Sequence, residues 1–82
     1  MSEENLFEIV RIEISELCNI PKSKIENTSD LFELGFDSIL FIELIIRLEK
    51  RLNVVLSPKH LFVAPNVGAI VKAIVSRLAD AE

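Results

Sequence analysis

Cysteine and histidine are almost absent from this chain: Cys18 and His60 each stand alone. One cysteine makes no internal disulfide and builds no cysteine metal cluster. One histidine without a Cys or His neighbour lacks the spacing of a metal-ligand set, so no metal site is expected. Cys18 reads as a small buried hydrophobe near the end of the first helix, and His60 as a surface or partly packed side chain. Two glycines and three prolines are too few for a disordered tail or for an all-β protein with many turns. Basic side chains are in the minority, 9 against 13 acidic, for a net charge of −4. That disfavours nucleic acid as a partner, which requires a basic footprint, and fits a soluble protein that meets basic surfaces. No uncharged apolar run is long enough to span a membrane, because Glu43 interrupts the longest one at 39–46. Residues 1–5 carry two glutamates where a secretory signal carries positive charge. The cytoplasm is therefore the expected location.

What is present is apolar and helical. Half of the 82 residues are hydrophobic, enough for the modest core of one small domain, expected to span 1–82. Ser2 suits a helix N-cap, Glu3 and Glu4 suit the positive end of a helix dipole, and Leu6, Phe7, Val10, Ile14 and Leu17 recur at helical spacing. A first helix is expected over 3–18, with Ile9 and Ile12 off its main face. Asn19-Ile20-Pro21 stops it. The connection 22–36 is rich in turn formers, yet Ile25, Leu31, Phe32 and Leu34 should pin it to the core. A connection this long in a small domain is often functional. A second helix is expected over 38–51. Residues 52–56 have a strand-like composition but no obvious strand to pair with. Ser57-Pro58 reads as a cap and a first helical residue. A short helix over 58–63 should bury Leu61 and Phe62 and end at Pro65. Asn66 should cap the last helix, 67–79, whose Val67, Ile70, Val71, Ile74, Val75 and Leu78 follow the helical period without a miss. Gly68 falls in its first turn, where the helix penalty of glycine is smaller. Residues 80–82 read as a frayed end. The fold class is all-α: a small bundle of three main helices and one short one, with a long loop between the first two.

The chain is organised around 31–52. Gly35 can supply the positive φ of a tight turn. Asp37 is a good N-cap, and Ser38 follows in the first turn, where the helix dipole and free N–H groups favour a phosphate. Two readings of Ser38 stand at this point: an ordinary first-turn serine, or a hydroxyl offered to a phosphodiester. At 100° per residue from Ser38, Phe41, Leu44, Ile45, Leu48 and Leu52 fall between roughly 240° and 340°, a core stripe. Ile42, Ile46 and Ile39 fall at about 40°, 80° and 100°, a second stripe next to Ser38. Either the long loop covers this stripe, or it is an exposed patch for partner proteins.

The segment Asp30-Leu31-Phe32-Glu33-Leu34-Gly35-Phe36-Asp37-Ser38-Ile39 resembles the attachment motif of acyl and peptidyl carrier proteins. That motif runs through an apolar pair, Leu-Gly, two variable positions and Ser-Leu. Leu61-Phe62-Val63-Ala64-Pro65-Asn66-Val67 is similar to the family's segment before the last helix, and Glu43-Leu44 and Leu48-Glu49 match positions in its second helix. The resemblance covers about 6–78. It implies a four-helix carrier fold with 4′-phosphopantetheine bonded to Ser38 by a phosphopantetheinyl transferase, and with Asp37 as the helix cap beside the site. In that transfer the serine oxygen attacks phosphorus and a nucleotide phosphate leaves. The transferase provides the magnesium and the base, since one serine offers neither in-line positioning nor charge neutralisation. The chain is accordingly not an enzyme. The arm's thiol would hold cargo as a thioester and present it to a loading enzyme and to downstream condensing, modifying or transferring enzymes. The resemblance favours the exposed-patch reading, with Ile39, Ile42 and Ile46 as partner contacts and Glu43 and Glu49 as flanking acids.

Arg47, Lys50 and Arg51 make the second helix less acidic than in fatty-acid synthesis carriers. Gly35-Phe36-Asp37-Ser38 looks more like polyketide carriers than the Gly-Gly-x-Ser of many peptide-synthetase carriers. The expectation is a monomeric, free-standing acyl carrier in polyketide-type or related secondary metabolism. The alternatives are a peptidyl (aminoacyl) carrier of a nonribosomal peptide pathway and, from another class, an unmodified helical interaction module. A hydrolase using Ser38 would need His60 as its base and an oxyanion site that the sequence does not offer.

Overall fold

Ser2 opens the first helix with its side chain: Oγ accepts from Asn5 N at 3.2 Å, and α1 runs Glu3–Cys18. Asn19 closes it in the left-handed conformation, φ 56° and ψ 46°, which asparagine tolerates better than most residues. In the computed structural model, which describes residues 2–80, three more helices follow: α2 Ser38–Leu52, α3 Pro58–Val63 and α4 Val67–Asp80. The expected boundaries hold to within a residue, and residues 81–82 of the expected frayed end lie outside the described residues. Among the described residues there is no strand. The strand-like segment 52–56 stays irregular, and a lone β-bridge joins Asp30 to Asn66.

The core is a continuous cluster of sixteen buried apolar side chains. α1 gives Leu6, Val10 and Ile14; α2 gives Phe41, Leu44, Ile45 and Leu48; α4 gives Val67, Ile70, Val71 and Ile74. Burying one such side chain is worth about 1.5–3 kcal/mol, whereas an exposed ion pair is worth about 0–1 kcal/mol. The 3.8 Å pair between Arg51 of α2 and Glu13 of α1 is not of that exposed kind: Glu13 is buried, and Arg51 compensates a charge that would otherwise be costly there.

The long connection holds a short 3-10 turn, Lys22–Lys24, and is pinned by Ile25, Leu31 and Phe36. Arg11 Nε donates to Lys22 O at 2.9 Å and fixes its start to α1. It is then tied by backbone to the start of α4. Val67 N donates to Ser29 O at 3.2 Å, Gly68 N to Asn27 O at 2.9 Å, and Leu31 N to Pro65 O at 2.8 Å. Asn66 Oδ1 accepts from Ala69 N at 2.8 Å, the expected cap. Three N–H groups that a helix start leaves without intrahelical acceptors are thus satisfied. Gly68 sits where a Cβ would come within 3.1 Å of Asn27 O, so close approach of two backbones is what glycine serves there.

Four details differ from expectation. Phe32 and Phe62 are not buried: each is more than a third exposed. Their rings pack instead on the buried Phe41, with centroids 6.2 and 5.0 Å away and 5.4 Å between themselves. In so short a helix Leu61 takes the inward position, and its neighbour Phe62 turns about 100° to the rim. Phe36, absent from the expected anchors, fills the core in place of Phe32. Ser57 occupies the N-cap position of α3 without a side-chain cap, and its carbonyl accepts from Leu61 N at 3.2 Å.

A tight turn ends the connection. Asp30 Oδ1 accepts from Phe32 N and Glu33 N at 2.8 and 3.3 Å. Phe36 N donates to Leu31 O and Gly35 N to Phe32 O, the paired bonds of a Schellman motif with Gly35 at its left-handed position. Gly35 has φ +110°, and no atom lies within 4 Å of where a Cβ would be. Conformation alone therefore demands glycine here. Gly35→Ala should cost about 1–2 kcal/mol, a fall in Tm of about 5–15 °C for a domain of this size. Thermal unfolding followed by circular dichroism checks this, and an unchanged Tm would refute it.

Candidate functional site

The turn at 30–36 ends in Phe36, which is buried, so the next residue must face outward. Asp37 is extended, φ −106° and ψ −176°. Its Oδ1 accepts from Leu40 N at 2.8 Å and its carbonyl accepts from Phe41 N at 3.0 Å. It is the N-cap of α2, as expected. Ser38 is the first helical residue and is exposed. Leu40 N is taken by the cap, while the N–H groups of Ser38 and Ile39 have no acceptor within the helix.

Two charges act on a phosphodiester placed at Ser38. The helix terminus attracts it by about 0.3–1 kcal/mol. The neighbouring Asp37 carboxylate repels it by an amount of the same order in water. These nearly cancel, so the site does not bind a phosphate tightly by itself.

Ile39, Ile42 and Ile46 are 75%, 45% and 45% exposed. The long loop therefore leaves the second stripe of α2 exposed, Ile39 most of all. Glu43 and Glu49, expected as flanking acids, are placed differently from one another. Glu43 is exposed beside the stripe and pairs with Arg47 at 3.6 Å. Glu49 is half-buried and turned to the chain itself: its Oε2 accepts from Leu56 N at 2.9 Å and holds the α2–α3 connection. Sequence spacing gave no sign of that bond, because its acceptor serves a backbone N–H in a segment without periodicity.

His60 is exposed on α3 and borders a groove of about 300 Å³ lined by Leu56, Ser57, Leu61, Ala73, Ser76 and Arg77. Ser38 does not line that groove. Among the described residues no group of three or more metal-ligating side chains comes together, and no helix is long and apolar enough to cross a membrane.

Cys18 is half-buried, at the end of α1. Burial pushes its thiol pKa up, and the nearby Asp37 carboxylate adds to the shift. The sequence placed Cys18 near a helix end, but not within reach of the charge beside Ser38.

A family model described as the phosphopantetheine attachment site matches residues 8–74. Over 73 residues the chain is 30% identical to the non-reducing polyketide synthase adrD of Penicillium rubens. Over 65 residues it is 34% identical to the non-reducing polyketide synthase ausA of Penicillium brasilianum. These alignments cover 89% and 79% of this chain, and the chain spans about 3% of the length of either synthase. The NMR structure of the HMG-ACPI domain from the CurA module of Lyngbya majuscula matches with a TM-score of 0.75. That match covers 92% of this chain and 80% of the other at 20% identity, which shows a common fold. The chain belongs to the phosphopantetheine attachment-site family. It is a carrier protein, related to the carrier regions of polyketide synthases, with the expected all-α fold. Domains of this family bear covalently attached 4′-phosphopantetheine. They are not catalytic themselves, and work with a phosphopantetheinyl transferase and catalytic partners.

The raised thiol pKa has a measurable consequence. At pH 8 the Cys18 thiol should alkylate more slowly than a free cysteine, because the thiolate is the reactive form. Asp37→Asn should speed the reaction modestly, by removing the smaller of the two causes. Iodoacetamide kinetics read by mass check both, and a rate at or above that of free cysteine would refute the placement.

Proposed function

We propose that Ser38 carries the arm and that this chain, working as a single carrier domain over 1–82, delivers acyl cargo in polyketide-type metabolism. One observation carries the reading: an exposed hydroxyl at the first position of α2, directly after the Asp37 cap and inside the stretch matched by the family. In loading, Ser38 Oγ attacks the phosphorus that bears the pantetheine of coenzyme A and takes the whole phosphopantetheinyl group. The bond from oxygen to phosphorus forms, the bond from phosphorus to the nucleotide phosphate breaks, and the hydroxyl proton passes to the transferase. When bound, the arm supplies a terminal thiol that holds acyl groups as thioesters.

The chain's own part is to root the arm on a rigid helix end and to expose that end. Tethering keeps cargo at an effective concentration on the order of millimolar near a docked enzyme. The polyketide synthase relatives support acyl over aminoacyl cargo. The loading enzyme and the downstream condensing, modifying or transferring enzymes would dock beside Ser38, on the isoleucine side of α2. The cytoplasm is the proposed location.

The test is intact mass after incubation with coenzyme A and a broad-specificity phosphopantetheinyl transferase. Wild type should gain one phosphopantetheine. Ser38→Ala should gain none and keep its helical signal, because an exposed first-turn side chain contributes little to stability. A gain on Ser38→Ala would move the attachment site. No gain on wild type, with a control carrier loaded, would leave a helical interaction module.

A further inference from the structure

Phe41 is the first buried residue of α2 and follows Ser38 by about one turn. It roots the serine-bearing end of the helix in the core. Two rings at the rim close on it, Phe32 from the long connection and Phe62 from α3, with centroids 6.2 and 5.0 Å away.

α3 has few means of its own to hold Phe62 there. It has six residues, a single buried side chain, Leu61, and no side-chain cap at Ser57. A helix this short is not stable by itself, so its pose is fixed from outside, at both ends. Before its start, Leu56 N donates to Glu49 Oε2 at 2.9 Å; past its end, Pro65 O accepts from Leu31 N at 2.8 Å. The second bond joins two backbones and brings Phe32, the next residue, beside α3. Of the two, only the first depends on a side chain. Leu56 is buried, so losing that acceptor leaves its N–H poorly satisfied.

Taking Ser38 as the arm-bearing residue, we infer that Glu49 is a positioning residue for it. Glu49 lies further along the same helix, about 16 Å away by helix rise. Its influence runs through α3: the carboxylate holds Leu56 N, α3 holds Phe62, Phe62 packs on Phe41, and Phe41 anchors the first turn of α2. What matters at 49 is an acceptor oxygen and not a negative charge.

Amide exchange and loading kinetics on the same variants test the inference. In Glu49→Ala, exchange should rise about tenfold at Leu56 N and also at Leu61 N, which bonds to Ser57 O inside α3. The amides of Leu44 in α2 and Ile70 in α4 should change less than about twofold. The nuclear Overhauser contact between the rings of Phe62 and Phe41 should be lost. Glu49→Gln keeps an oxygen for Leu56 N and should match wild type throughout. In loading with coenzyme A and a broad-specificity phosphopantetheinyl transferase, Glu49→Ala should lower kcat about fivefold and leave KM within about twofold, because a loosened nucleophile is misplaced and not unbound. Phe62→Ala should do the same. The double variant should lose no more than either single one, since both cut one line of contacts.

Faster exchange confined to Leu56 N would overturn the inference. So would a rise spread alike over α1, α2 and α4, which is general destabilisation. A kcat loss shared by Glu49→Gln, additive losses in the double variant, or a rise in KM in place of a falling kcat would each overturn it too. Wild type that fails to load would instead overturn the assignment of Ser38, and the exchange data would still decide whether Glu49 holds α3, so the two failures are distinct.

Discussion

Ser38 is where it is because two backbones satisfy one another far from it. The start of α4 has N–H groups that its own helix cannot use, and the long connection has carbonyls without a ladder. Ser29 O and Asn27 O meet Val67 N and Gly68 N, and Pro65 O meets Leu31 N in return. A buried polar group left alone would cost about 1–3 kcal/mol, so these bonds specify one path for a segment with little regular structure. Leu31 and Phe36 then anchor the remainder, and the turn at Gly35 delivers Asp37 and Ser38 to the surface. The helices supply the bulk of the core, and the strap decides where the connection ends.

Helices were legible because their signals are local. Ser2, Asp37 and Asn66 cap as their side chains suggest, Pro58 opens α3, and the period of α4 places Val67, Ile70, Val71 and Ile74 inside. The two stripes of α2 separated by angle alone, with Phe41, Leu44, Ile45 and Leu48 buried and the isoleucines exposed. Less legible was everything set by contacts distant in sequence. Glu49 lies near Ser38 on a helical wheel, yet its carboxylate serves a backbone N–H seven residues on. The reason for Gly68 is the carbonyl of Asn27, on another element. The grouping of Phe32, Phe41 and Phe62 joins a loop and two helices, and no periodicity within one element encodes it. Ser38 is proposed as the attachment residue through its motif, because first-turn serines are common and helix physics alone left it undecided.

α2 is thus asked to do opposite things on two sides. One face fills the core with large apolar groups, and the other keeps similar groups in water. The second face is costly for an isolated domain, since its isoleucines stay 45–75% exposed, gain less from folding than core residues and invite association. Under the proposed function, contact with partner enzymes beside Ser38 would offset that cost.

The half-buried cysteine at the end of α1 is the one other thiol to weigh against the thioester proposed above. Thioesters exchange with thiolates, and any carrier with a second thiol near its tether risks passing the acyl group to itself. Thiolate is the attacking form, and both burial and the Asp37 charge hold Cys18 protonated. The carboxylate that caps α2 therefore reaches beyond its own helix: it also disfavours the thiolate at the end of α1.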